Sequence, residues 1–179
     1  VATEQVILVD ERDRELGVAE KMRAHREGML HRAFSVFVFD SRGRLLLQKR
    51  ARAKYHSGGL WSNTACGHPR PGEETRAAAL RRLGEEMSFV CELRRSFGFI
   101  YRVELENRLV EHEFDHVFVG CFDGEPAPDS AEVETWAWVG MEELRRDLLQ
   151  RPEQYSYWLR SVLHGRRARR LLDTAALVG

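Results

Sequence analysis

Gly67-His68-Pro69-Arg70-Pro71-Gly72-Glu73 runs on into Arg81-Arg82-Leu83-Gly84-Glu85-Glu86-Met87-Ser88-Phe89. The spacing is a glycine, five residues, a glutamate, seven residues, then an arginine pair and two adjacent glutamates. Pro69 and Pro71-Gly72 mark a loop, while Ala77, Leu80, Leu83, Gly84 and Met87 recur at intervals of three and four, which predicts a helix over 74–87 with one apolar face. Arg82 and Glu86 stand four residues apart and share a side of that helix. A diphosphate carries about three negative charges and calls for a hard cation with oxygen ligands. Glu86 is suited to the cation and Arg82 to the phosphate oxygens. On this segment alone, a helix with ordinary surface Arg–Glu pairs is an equally good reading.

Working outward, 33–40 (Ala-Phe-Ser-Val-Phe-Val-Phe-Asp) is a continuous apolar run and predicts a buried strand. Ser41-Arg42-Gly43 turns it into a hairpin partner over 44–49. A first strand is expected at 6–9, followed by a turn over 10–17 and a charged segment through Arg26. Beyond the helix, strands are expected at 96–103, 110–121 and 135–139, then helices at 141–149 and 154–163 and a basic C-terminal tail over 165–179. The Arg166-Arg167-Ala168-Arg169-Arg170 run in that tail reads as a solvated helix end. Strands on both sides of a central helix favour one domain over 1–179 of mixed α/β (α+β) type, with a mixed sheet sandwiched by helices.

Lys plus Arg and Asp plus Glu both count 28 in 179 residues, so no global field favours nucleic acid or an acidic membrane. No apolar run reaches the roughly 18 residues of a membrane helix, and residues 1–5 lack a leader's basic and apolar regions. Three cysteines, Cys66, Cys91 and Cys121, are odd in number and irregularly spaced, which points to a reducing compartment, the cytoplasm. Oligomeric state is not legible.

His25, His31 and His68 are joined by Glu111-His112-Glu113, which on a strand sends both glutamates to one face and His112 to the other. Such a set could bind Zn²⁺, Mn²⁺ or Fe²⁺. Taken singly, each histidine is more often a surface or core residue, and spacing does not show that they converge.

The chain resembles the type I isopentenyl-diphosphate isomerases, a branch of the Nudix fold, over almost its whole length. The matching segments are Glu20 to His25, Leu30 to Ser35, Lys49 to Lys54, Gly59 to Pro69, Arg81-Arg82, Glu111 to Glu113 and Tyr155 to Trp158. The run Trp61-Ser62-Asn63-Thr64-Ala65-Cys66-Gly67-His68-Pro69 is the most specific. Two departures set it apart from Nudix hydrolases, which carry glutamate where Arg82 stands and glycine where Ser88 stands.

The resemblance implies that His25, His31, His68, Glu111 and Glu113 hold Mn²⁺ or Zn²⁺. It further implies that Mg²⁺ arrives with the substrate diphosphate and meets Glu86 and the backbone carbonyl of Cys66. Cys66 and Glu113 are implied as catalytic groups, with Tyr101 beside Glu113. Lys21, Arg50, Lys54 and Arg82 are implied to bind the diphosphate. A carbocation is stabilised by an aromatic face, for which Trp158 is the candidate, with Trp61 lining the other side. Trp136 and Trp138 read as sheet residues, and Cys91 and Cys121 as packing residues. The competing readings are a Nudix-type diphosphate hydrolase and a non-catalytic metal- or phosphate-binding module.

Overall fold

In the computed structural model, residues 4–179 are described; Val1, Ala2 and Thr3, the head of the stretch expected to lack a leader, lie outside the described residues. The organising strand is β3, His31–Phe39. Before it come β1 (Gln5–Val9), β2 (Glu15–Glu20) and α1 (Lys21–Glu27). After it come β4 (Leu45–Arg50), the short β5 (Trp61–Ser62) and β6 (Ala65–Gly67), and α2 (Thr75–Met87). The chain continues through β7 (Leu93–Glu104), β8 (Val110–Cys121), β9 (Val133–Val139), α3 (Met141–Gln150), α4 (Tyr157–Val162) and α5 (Gly165–Ala175).

One edge of β3 is filled by β8, running parallel from the His31–Glu113 rung to the Phe39–Cys121 rung. Its other edge is shared in turn by β1 at His31, β6 at Phe34–Val36 and β4 at Phe39. β7 extends the sheet beyond β8, and β9 and β5 extend it beyond β4. Both faces of β3 are covered, which is why its sequence is nearly all apolar rather than alternating. Phe34, Val36 and Val38 pack against Ala78, Ala79, Leu83 and Met87 of α2. Phe37 and Phe39 pack with Leu144, Leu159, Val162 and Leu171 of the C-terminal helices.

Several expectations shift. β3 starts two residues before the expected 33, which places His31 on the strand itself. The charged segment through Arg26 resolves into β2 and α1, the latter N-capped by the Glu20 carboxylate on the Met22 and Arg23 amides and ended by left-handed Gly28. The helix expected over 154–163 is broken. Pro152–Gln154 is a 3₁₀ turn, and Tyr155 stays extended because it bridges Trp61, with the Ser156 amide donating to the Trp61 carbonyl at 2.8 Å. Only then does α4 begin. In the basic tail Arg166, Arg169 and Arg170 are exposed on a helix as expected, while the other side of that helix, α5, is docked on β7. It buries Ala168 and Leu171 and lays Arg167 and Arg170 over the rings of Phe99 and Phe97 at 4.7 and 5.4 Å. Trp136 and Trp138 are half-buried against the α2-side core, as is Cys91; all three cysteines are free thiols.

Leu171→Ala therefore should destabilise the protein by about 2–5 kcal/mol in urea unfolding, as a truncated core leucine does. A solvated tail would show less than about 0.5 kcal/mol.

Candidate active site

The mouth of the sheet at the start of β3 is a cavity of about 730 Å³. β8 contributes Glu111 and Glu113 from one face, both buried, while His112 turns the other way and its Nδ1 donates to the Gly28 carbonyl at 2.9 Å. His31 is on the first rung beside Glu113; α1, held against β1 and β2, brings His25; the turn after β6 brings His68. The ligating atoms of His25, His31, His68 and Glu113 all lie within 4.8 Å of one another.

Hydrogen bonding fixes which nitrogens face inward. Nδ1 of His25 is 2.7 Å from the Lys21 carbonyl and Nδ1 of His31 is 2.8 Å from the Met29 carbonyl. A carbonyl only accepts, so each ring carries its proton on Nδ1 and a neutral ring turns an Nε2 lone pair to the shared cluster of donor atoms. His31 Nε2 lies 3.2 Å from His68 Nε2, which in turn is 2.8 Å from Glu113 Oε1. His25 Nε2 and Glu111 Oε2 are buried with no hydrogen-bond partner. Burial, followed by the charges of His31, Lys21 and His25, pushes His68 well below the ordinary histidine range, toward the neutral form that ligates. Buried lone pairs converging from imidazole and carboxylate suit a divalent cation, so the donor set fits one.

Glu113 also accepts from the Tyr101 hydroxyl at 2.7 Å across the β7–β8 ladder. Burial and then the charge of Glu111 raise the Glu113 carboxyl above the ordinary carboxylate range. Cys66, on β6, enters the cavity from the opposite edge of β3. Burial pushes its thiol up to about 12 against the lowering pull of Arg50, so the sulfur keeps its proton. Arg50 Nη1 lies 3.8 Å from that sulfur, and its guanidinium sits 5.2 Å from the Trp158 ring centre. Trp158 is buried at the cavity wall, with its indole N–H donating to Ser62 Oγ at 2.9 Å.

The cations implied to bind diphosphate all line the cavity, but three already have carboxylate partners. Lys21 pairs with Glu4 at 3.1 Å. Arg82 pairs with Glu85, Glu86 and Glu132 at 2.9, 2.7 and 2.9 Å, and Lys54 also bonds Glu132. Glu86 is buried; Arg82 holds one of its oxygens and the Gln48 amide donates to the other at 2.7 Å.

Trp61 is the one expected lining residue that the structure places elsewhere. β5 alternates, so Ser62 turns to Trp158 while Trp61 turns to the core beneath the C-terminal helices. Sequence reasoning missed His56, whose Nε2 is 2.7 Å from Glu111 Oε1, and Tyr55, whose ring lies 4.7 Å under the Lys21 ammonium. It also missed Glu132, and buried Asp115, which accepts from Ser35 Oγ at 2.8 Å and is pushed well above the usual carboxylate range by burial and Glu113. Tyr55-His56 follows Lys54 directly, so adjacency was the available signal. For Glu132 there was none.

Fold and site define a NUDIX protein, and the NUDIX domain matches residues 29–161. Isopentenyl-diphosphate Delta-isomerase 1 of Aromatoleum aromaticum is 61% identical over 160 residues, covering 89% of this chain and 90% of that protein. Isopentenyl-diphosphate Delta-isomerase of Burkholderia multivorans is 58% identical over 160 residues, covering 89% and 91%. A crystal structure of a Deinococcus radiodurans protein superposes with TM-score 0.76 at 21% identity, covering 89% of this chain and 97% of that one, a likeness of fold. The chain belongs to the type I isopentenyl-diphosphate Delta-isomerase family, within the NUDIX superfamily. Among the described residues, no helix is long and apolar enough to cross a membrane.

A cation bound only by the folded state adds about 2.7 kcal/mol at a hundred times its dissociation constant. Chelator-treated protein should therefore melt at higher temperature when Mn²⁺ or Zn²⁺ is restored. His31→Ala should lose most of that rise, and an unchanged rise in the variant would count against the site.

Proposed function

We propose that the protein converts isopentenyl diphosphate to dimethylallyl diphosphate by adding a proton to the terminal methylene and removing one from the methylene next to the diphosphate-bearing carbon. The observation that carries this reading is a thiol, Cys66, and a buried carboxyl, Glu113, lining one cavity from strands on opposite edges of β3. An unactivated alkene is a weak base, so its acid must be aligned and kept from water.

Cys66 and Glu113 serve as the two proton-handling groups on opposite sides of the five-carbon unit, exchanging roles with the direction of reaction. The Tyr101 hydroxyl, 2.7 Å from Glu113, orients that carboxyl. The Trp158 face stabilises the tertiary cation by about 2 kcal/mol when desolvated and offers it no nucleophile. Lys21, Arg50, Lys54 and Arg82 hold the diphosphate, and binding energy from this remote group positions the alkene. His25, His31, His68, Glu111 and Glu113 would hold Mn²⁺ or Zn²⁺, and Glu86 with the Cys66 carbonyl would hold Mg²⁺ brought by the diphosphate; each ion would supply positive charge, the first of them tuning the proton affinity of Glu113. Three free cysteines fit a place in the cytoplasm.

The test is proton NMR of isopentenyl diphosphate in heavy water with protein and Mg²⁺. Deuterium in the product methyl group is expected; phosphate release without double-bond migration would mark a diphosphate hydrolase instead. Cys66→Ala and Glu113→Gln should each abolish turnover with little change in diphosphate affinity, measured by calorimetry. Near-normal turnover in both would refute the assignment. Arg50 has no carboxylate partner among the described residues, and removing it should weaken substrate binding more than removing the Glu4-paired Lys21 does.

A further inference from the structure

One imidazole outside the five proposed ligands touches the same cluster. His56, in the loop after β4, is 4% exposed, and its Nε2 lies 2.7 Å from Glu111 Oε1. His25 Nε2 is 3.5 Å from that oxygen, so His56 makes the closer contact. The second carboxylate oxygen, Oε2, is buried and has no hydrogen-bond partner. The rest of the His56 ring is fixed as well. Nδ1 lies 3.2 Å from Ser57 Oγ, and the ring meets the Trp158 ring edge-on with centroids 5.8 Å apart. Its backbone carbonyl accepts from Arg50 Nη2 at 3.3 Å.

We propose that His56 is a positioning residue: its Nε2–H donates to Glu111 Oε1 and presents Oε2 as the donor atom for the divalent cation. The inference rests on the metal reading above and extends it. A carboxylate free to rotate must be ordered when it takes up an ion, whereas one already hydrogen-bonded through a single oxygen is ordered in advance. Partners of this kind typically govern metal affinity by roughly 10–100-fold. The geometry gives His56 this role rather than that of a sixth ligand. Its Nε2 is committed to a carboxylate oxygen at hydrogen-bond distance; His25, His31, His68 and Glu113 converge as a four-residue donor group without it, and His56 reaches that group only through the second set it forms with His25 and Glu111. The same ring abuts Trp158 and the same residue's carbonyl holds Arg50, so its place is fixed independently of the cation.

The experiment is titration of chelator-treated full-length protein with Mn²⁺, and with Co²⁺ read by visible absorption, for the unsubstituted chain, His56→Ala and His56→Gln. Glutamine places an amide N–H near the position of Nε2 and preserves the donor. His56→Ala should bind both ions roughly 10–100-fold more weakly, His56→Gln should recover most of the affinity, and the saturated Co²⁺ spectra should coincide because the ligands are unchanged. Equal affinity in all three proteins would overturn the proposal. Equal loss in both variants with an altered Co²⁺ spectrum would make His56 a ligand and overturn it too. A chain that takes up no ion before substitution would instead remove the metal reading itself.

Discussion

The parallel ladder between β3 and β8 is the constraint on which the site depends. Its first rung sets His31 beside Glu113, and its nine rungs end at Phe39 and Cys121. Because side chains alternate along a strand, a slip of one residue would carry Glu111, Glu113 and Asp115 to the opposite face. The buried pairs Phe37–Val119 and Val36–Phe118 forbid that slip, since both faces of β3 are packed. A parallel pair needs a crossover, and here the crossover runs from β4 to β7 and contains α2. The proposed metal ligands are thus distant in sequence and adjacent only once the sheet is closed.

A second set of contacts holds the opposite wall. Thr64 Oγ1 accepts from the Val38 amide and donates to the Leu46 carbonyl, and Asn63 donates to the carbonyls of Val36 and Ala65. Gln48 joins the Thr64 carbonyl to Glu86. These buried side chains satisfy backbone groups of β3 and β4 as well as the Thr64 and Ala65 carbonyls at the β5–β6 connection. The network locks Cys66 to β3 and links it to the glutamate helix. Polar residues in that loop therefore act as framework, and the thiol at its end inherits their rigidity.

Elements with a strong apolar period were legible in the sequence. The helix expected over 74–87 is α2 to within a residue, and β8 has the expected bounds. The alternation of Glu111, His112 and Glu113 was readable because a strand's period is two. β2 and α1 were not legible, since their charged residues show no period and α1 is fixed by the Glu20 cap and by tertiary packing. β5 and β6 span two and three residues, too short for any pattern, and the facing of Trp61 depends on where Tyr155 pairs. His56 and Glu132 take their meaning from partners 55 and 50 residues away, Glu111 and Arg82. No local rule reaches so far.

The carboxylates around the proposed phosphate-binding cations have one more implication. Six lysines and arginines line the cavity (Lys21, Arg50, Lys54, Arg70, Arg81, Arg82) against six glutamates (Glu4, Glu85, Glu86, Glu111, Glu113, Glu132). With every group ionised that lining is formally neutral, so its carboxylates offset its cations in sum, and Arg50 is the one of the four proposed diphosphate-binding cations left without a carboxylate partner among the described residues. Glu132 bonds both Lys54 and Arg82 and so sets those two cations side by side at the cavity wall, where any oxyanion reaching them would compete with that carboxylate for the same N–H donors.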